Sequence, residues 1–415
     1  MLDNSEKFVY EYIGLQKAAL TEVPPEIDYK NCDWELLIRL SIRNKCTVLL
    51  NNAVNKESSF YGIPQGKLDM WNKISQKEFI MSYSMFLEFV KVMETLNKNG
   101  ISAIVLKGYV LGVLYPNILQ RYSSDLDLKF DNKDRETVDK LLTGELGFML
   151  NDVDSKENVA IYYNNVLKIE AHFTLWEDYQ GRNTEILCEE RLDDPKTLID
   201  VKITDNLSVT TLGVTEHLIL QMFHIIKHYI LEGIESRYFC DIALYVNKYI
   251  DVIDFDRFYR VFRDMNFEDF CVVYFSECIK YFNMDKRALN EREQKFPEDE
   301  AAFFRDIIYL GKRDLNDHAE YSLLGILSPY VNGGKKTEEN KILRIIQTLF
   351  PSAKDIDQKY GYCKKYSALL PIAWVHRALR TIYFKITKRG KVYGAGKKLQ
   401  ESEYRIRMMK NVMLL

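Results

Sequence analysis

The stretch "RYSSDLDLKF", residues 121–130, decides how the rest of the chain is read. Leu126, Leu128 and Phe130 alternate with Asp127 and Lys129, which is the period of a strand with one apolar face. Asp125 and Asp127 then project from the other face. Two carboxylates a few Å apart repel, and the proton affinity of one rises unless a cation lies between them. Such a face is either wetted by solvent or a place where something positive binds.

Working outward, "ISAIVL" (101–106) is a short apolar run between Asn99-Gly100 and Lys107-Gly108, and reads as a strand buried on both faces. "YVLGVLYP" (109–116) reads as a short helix stopped by Pro116. A capped helix is expected from about Asp131 to Leu142. "NVAIYYNNVLKIEAHFTLW" (158–176) reads as two strands around an Asn164-Asn165 turn. In the second of these, Ile169, Ala171 and Phe173 take one face, and Lys168, Glu170, His172 and Thr174 take the other. Glu170 is therefore a third carboxylate if this strand lies beside the first. His172 shares its side as a candidate general base or acceptor-orienting group, the alternative being a histidine hydrogen-bonded to a carboxylate at the sheet edge. Mg²⁺ takes hard oxygen ligands and leaves room for substrate phosphates. Two such ions held by three carboxylates can activate a hydroxyl for in-line attack on a phosphoryl group.

The flanks are helical in period. One helix is expected over 33–54 with Asp33 as its cap, and another over 75–100, capped by Ser75 and ended by Asn99-Gly100. From about residue 180 the helical pattern is expected to resume and hold, in segments near 215–231, 237–249, 254–264, 267–282, 299–312, 340–349 and 366–387. The charged stretches 283–300 and 331–341 read as solvated connectors. The fold class expected is α+β, a small mixed sheet near residues 101–176 embedded in a largely helical chain. The corresponding division is a helical region 1–98, a sheet core 99–180, a helical region 181–290 packed on that core, and a helical region 291–415 with a basic tail.

Composition narrows the classes. The chain has 415 residues, 47% apolar and 28% charged, with a net charge of −3, which is ordinary for a soluble globular protein and offers no global attraction to nucleic acid or membrane. Seven scattered cysteines with no CxxC pair indicate neither a disulfide framework nor a cysteine zinc site, and fit a reducing cytosol. "MLDNSEKFVY" lacks the features of a leader, and no apolar run approaches the roughly 20 residues that span a bilayer. A cytoplasmic protein is expected. The basic, aromatic-interleaved tail 376–410 can serve nucleic acid, but reads first as a solvated tail; nucleic acid is a partner not favoured. The oligomeric state is not legible.

The combination of "LKGYVLGVLYPNILQRYSSDLDL" (106–128) with "IEAHF" (169–173) resembles a family of uncharacterised bacterial nucleotidyltransferases within the polymerase-beta-like superfamily. The likeness extends to "DWELLIRLSIRNK" (33–45), "HIIKHYILEGIESRYFCDIALYV" (224–246) and "ALLPIAWVHRALR" (368–380). The resemblance implies Asp125 and Asp127 as ligands of Mg²⁺ (or Mn²⁺), with Glu170 completing the set. Lys107-Gly108 stands where most of the superfamily carries Gly-Ser to cradle a triphosphate, so Lys107 supplies a point charge in place of a hydroxyl. Arg121 is the second phosphate candidate, since a guanidinium can bind phosphate in a bidentate way. The implied activity is transfer of a nucleoside monophosphate from an NTP, ATP being the expected one, to a hydroxyl of a small molecule, a protein or an RNA end. The alternative is a catalytically silent binding or scaffold protein on the same fold. His217, His224 and His228 share one helix face, and Arg237 and Asp241 stand at i and i+4. The resemblance implies that these two helices pack on the sheet, with His224, His228 and Asp241 near nucleotide or acceptor. An interhelical network and a zinc site on the histidine helix are the other readings.

Overall fold

The computed structural model describes residues 7–23, 27–151, 155, 158–176, 182–310, 350, 360, 362–386 and 404–414. Five helices come first: α1 (Lys7–Thr21), α2 (Trp34–Arg43), α3 (Thr47–Lys56), α4 (Ser58–Tyr61) and α5 (Gln65–Lys98). The sheet-bearing stretch runs β1 (Ala103–Val105), α6 (Tyr109–Gly112), β2 (Leu126–Phe130), α7 (Arg135–Lys140), β3 (Met149–Leu150), β4 (Val159–Tyr163), β5 (Lys168–His172), α8 (Arg182–Glu189), β6 (Ile199–Lys202) and β7 (Ser208–Thr211). Then follow α9 (Val214–Leu231), α10 (Arg237–Tyr249), α11 (Phe255–Asp264), α12 (Glu268–Phe282) and α13 (Glu300–Arg305). The class is α+β, as the patterning indicates. Among the described residues no helix is long and apolar enough to cross a membrane.

The seven strands lie in the order β3-β4-β5-β2-β1-β7-β6. β2 is antiparallel to β1 and parallel to β5, so the two strands read as acidic are neighbours. Their apolar residues Leu126, Leu128, Phe130, Ile169 and Ala171 are buried against the C-terminal half of α5, through Phe89, Val92 and Leu96. The opposite face looks toward α9 and α10, which belong to a second apolar core built with α1–α3 and α11–α13. The polar face of the sheet is thus enclosed between two cores rather than bathed on an outer surface.

Four expectations are corrected. The helix expected over 33–54 is two helices, capped by Asp33 as expected but broken at Asn44-Lys45-Cys46, where Lys45 adopts a left-handed φ of 56°. The helix expected from Ser75 begins ten residues earlier, after Pro64; Ser75 is a buried interior residue, and the Asn99-Gly100 stop holds. The sheet does not end at 176. "IDVK" and "SVTT" form a hairpin, β6–β7, and β7 joins β1 in parallel through Ile104 and Thr210. Finally, Asp125 lies in a bend one residue before β2 rather than within the strand. The expected helix 340–349, the connector 331–341 and the basic tail between 387 and 403 lie outside the described residues.

Candidate active site

The parallel register of β2 and β5 sets Asp127 opposite Glu170 and Lys129 opposite His172. Side chains on one face of adjacent strands are near neighbours, so the polar residues of the two strands converge. Ligand atoms of Asp127, Glu170 and His172 all lie within 4.8 Å of one another. Among the described residues this is the one group of three or more His, Cys, Asp or Glu side chains close enough to share a metal ion. Asp125 is not in that group; it lines the same cleft and accepts a hydrogen bond from Ser124 Oγ at 3.3 Å.

Cations already answer these acids. Lys107 Nζ lies 3.2 Å from Asp127 Oδ2, and His172 Nε2 lies 3.3 Å from Asp127 Oδ1. Lys168 Nζ donates to Glu170 Oε1 at 2.6 Å. Burial pushes the Asp127 carboxyl up, but the Lys107 ammonium and the His172 contact outweigh it and hold Asp127 below the usual carboxylate range. His172 is therefore both neighbour to Glu170 and hydrogen-bond partner of a carboxylate.

The turn that carries Lys107 is held from three sides. Leu106 N donates to Asp127 O at 3.1 Å, tying the end of β1 to β2. His217 Nε2 meets Leu106 O at 2.7 Å from α9, so that nitrogen carries the proton. Burial pushes the His217 pKa down to about 4. Gly108 has φ +71°, a conformation that side chains rarely adopt, and its carbonyl accepts from Arg121 Nη1 at 3.2 Å. His217 thus leaves the histidine face expected of it and anchors the loop instead.

Arg121 is the clearest departure from expectation. Its Nε and Nη2 reach Asp241 Oδ1 and Oδ2 at 2.7 and 2.9 Å, a bidentate pair in which both side chains are almost wholly buried. Tyr115 Oη also donates to Asp241 at 2.7 Å. The guanidinium expected on phosphate therefore clamps the β1–β2 connection to α10. Asp241 is likewise drawn into this clamp; Arg237, its expected partner, is the more distant cation at 3.7 Å. Burial raises the Asp241 pKa, but Arg121 and Arg237 outweigh it and leave the group lowered.

Sheet face and helices enclose a cleft of about 220 Å³ that opens to solvent. Asp125, Asp127, Glu170, His172 and Lys107 form its floor; His224, Lys227 and His228 from α9 with Glu235 and Arg237 at the start of α10 form the facing wall. His224 and His228 meet edge to face with ring centroids 4.0 Å apart, and His228 pairs with Glu232. The contribution of Lys45 was not legible, because the sequence hides the helix break that turns it inward. Its ammonium lies 3.1 Å from Glu235 and 3.4 Å from Ser124 Oγ. Arg237, expected as the ion-pair partner of Asp241, also lines the cleft.

No curated protein and no solved structure matches the chain. A family described as uncharacterised nucleotidyltransferase matches residues 30–283, a span that includes every described strand and the residues that line the cleft. With that match laid over a floor of paired acids between two cores, the chain belongs to this family of uncharacterised nucleotidyltransferases.

Proposed function

We propose that the cleft transfers a nucleoside monophosphate from an NTP, ATP being the expected donor, to a hydroxyl that a small molecule, a protein or an RNA end can supply: the hydroxyl oxygen bonds to the α-phosphorus, the bond to the β-phosphate breaks, and pyrophosphate leaves. One observation carries most of this reading: Asp127 and Glu170 are register partners on adjacent parallel strands and converge with His172. The donor set fits a divalent ion, since carboxylate oxygens are the hard ligands that Mg²⁺ and Mn²⁺ take, and Asp125 on the same rim offers a further one. Asp125, Asp127 and Glu170 would hold two such ions, which when bound neutralise charge on the transferring phosphoryl group and activate the attacking hydroxyl. Lys107 supplies a point charge beside Asp127, where the phosphates approach. His172, with Nε2 between the two carboxylates, can hold the proton of the acceptor hydroxyl. In this reading residues 99–180 carry the chemistry and the helical region 181–290 supplies the acceptor pocket. An NTP donor also fits the cytoplasm.

Incubating the protein with each labelled NTP, Mg²⁺ and cell extract tests the proposal. Label should enter one fraction, and only while Asp127 and Glu170 are intact. Absence of both transfer and self-labelling under every NTP refutes it. A second reading, a catalytically silent scaffold, is favoured by one observation, that Lys107 and Lys168 already neutralise Asp127 and Glu170 without a metal. Calorimetric titration with Mg²⁺ and ATP separates the two, because the scaffold binds neither.

A further inference from the structure

We infer that the helical wall of the cleft is an oligophosphate subsite centred on Arg237, with Lys45 as its second cation. Arg237 opens α10 and lines the cleft, yet only 6% of it is exposed. Its Nη2 reaches Glu235 at 3.3 Å, whereas Nε and Nη1 are buried with no hydrogen-bond partner. Asp241 is too far at 3.7 Å to take up Nη1, and its oxygens already accept from Arg121 and Tyr115. A buried guanidinium with open donors is destabilising unless acceptors reach it. A phosphate chain brings several anionic oxygens in a geometry that the planar fork matches.

The site is built rather than incidental. Asn44, fully buried at the α2–α3 break, accepts from Ser236 N at 2.8 Å and donates to Leu40 O and Ile308 O. It therefore locks the residue after it, Lys45, beside the residues that carry Arg237. Lys45 holds φ +56° there, a conformation that persists where surrounding contacts fix it. The charges complete the argument. On the wall Lys45 and Arg237 share one carboxylate, Glu235, while Asp125, Asp127 and Glu170 lie on the floor. A phosphate chain would rest its charge on the wall with its reacting end toward the acids.

This deepens the nucleotidyl-transfer reading, and the oligophosphate can come either from the NTP or from a phosphorylated acceptor. The test uses the full-length protein in a chelator, so that it does not depend on a metal, and measures binding of inorganic triphosphate by calorimetry. Triphosphate should bind the wild type, and Arg237→Gln should weaken it by about a hundredfold, the scale of lost charge-assisted hydrogen bonds. Lys45→Met, at a more exposed position and thus safer for folding, should weaken it by about tenfold. Competition by ATP assigns the wall to the donor nucleotide; triphosphate binding that ATP leaves untouched assigns it to a phosphorylated acceptor. Failure of the wild type to bind, or equal binding by folded Arg237→Gln and Lys45→Met, overturns the subsite. If triphosphate binding depends on these residues while no NTP is ever transferred, the subsite stands and the transfer reading falls.

Discussion

Replacing Arg121 by methionine removes one partner of the most buried ion pair that joins the sheet to the helices. The side chains of Arg121 and Asp241 are 3% and 2% exposed, so neither charge can turn to water. Breaking such a pair leaves an uncompensated buried charge, at about 3–5 kcal/mol. In Arg121→Met, Asp241 keeps the Tyr115 hydroxyl at 2.7 Å and Arg237 at 3.7 Å, so the loss should fall at the low end, about 3 kcal/mol. Asp241→Asn is worse, about 4 kcal/mol, because it leaves two guanidiniums facing each other without their anion. The double variant should recover about 2 kcal/mol of the summed losses, the signature of direct coupling. Urea unfolding of the four proteins gives these values. Single variants within about 1 kcal/mol of wild type, or additive losses, would refute the clamp. The same set separates a clamp from a phosphate ligand: a ligand role predicts that Asp241→Asn frees Arg121 and tightens nucleotide binding, while a clamp predicts that both variants lose it together.

Asp127→Asn and Glu170→Gln should each lower nucleotidyl transfer at least about a hundredfold while the protein stays folded; single-turnover labelling checks this, and activity within tenfold of wild type counts against the floor as the reacting site. His217, neutral when folded, takes up its proton near pH 4 but near pH 6.5 when unfolded. The unfolded chain binds more protons between these values, so stability rises by about 3 kcal/mol as the pH is raised across that window, and urea titrations should show His217→Gln flattening the rise. Gly108→Ala puts a side chain at φ +71° and a Cβ 3.4 Å from Ser123 Oγ, a strain of about 1 kcal/mol visible in the same titrations. Lys107→Met leaves Asp127 with His172 as its remaining side-chain partner at hydrogen-bond range, which should lower stability by about 2 kcal/mol; a thermal shift on adding Mg²⁺ should then exceed that of wild type, and an equal shift contradicts a metal at Asp127.

The strands that carry chemistry were the legible ones, because each buries one face and shows period two: Leu126-Leu128-Phe130 and Ile169-Ala171-Phe173. The hairpin β6–β7 has the same alternation in Val201 and Val209, but Ile199 and Lys202 sit at an edge where neither face is fully buried. Its pattern is correspondingly diluted by polar residues and was absorbed into the helical background. The break at Asn44 escaped notice because Trp34, Leu37 and Ile38 continue in helical phase with Val48, Leu49 and Leu50. What interrupts the helix is tertiary, the capture of Asn44 by Ile308 and Ser236, each about 200 or more residues away. Arg121 was misread for a related reason. Bidentate binding was the correct geometry for its guanidinium, but a buried carboxylate 120 residues on satisfies it as well as a phosphate does, and local sequence does not distinguish the two.

Repulsion between Asp125 and Asp127, the reason to expect a cation from sequence, is no longer that reason in the fold. Asp127 has Lys107 and His172, Glu170 has Lys168, and Asp125 stands apart in the bend before β2. A scaffold could be stable with these pairs alone. The group that stability does not explain lies on the other wall, where Arg237 has its charge answered by Glu235 and Asp241 but buries Nε and Nη1 without a hydrogen-bond acceptor. Burying such a group lowers stability, and a fold already held by the Arg121–Asp241 clamp gains nothing structural from it. Floor carboxylates that already have lysine partners, opposite a guanidinium that keeps two donors without acceptors, are the arrangement of a site completed by an anion. The stronger physical case for a nucleotide therefore comes from the cation the sequence read only as part of a helix, rather than from the acids that first drew attention.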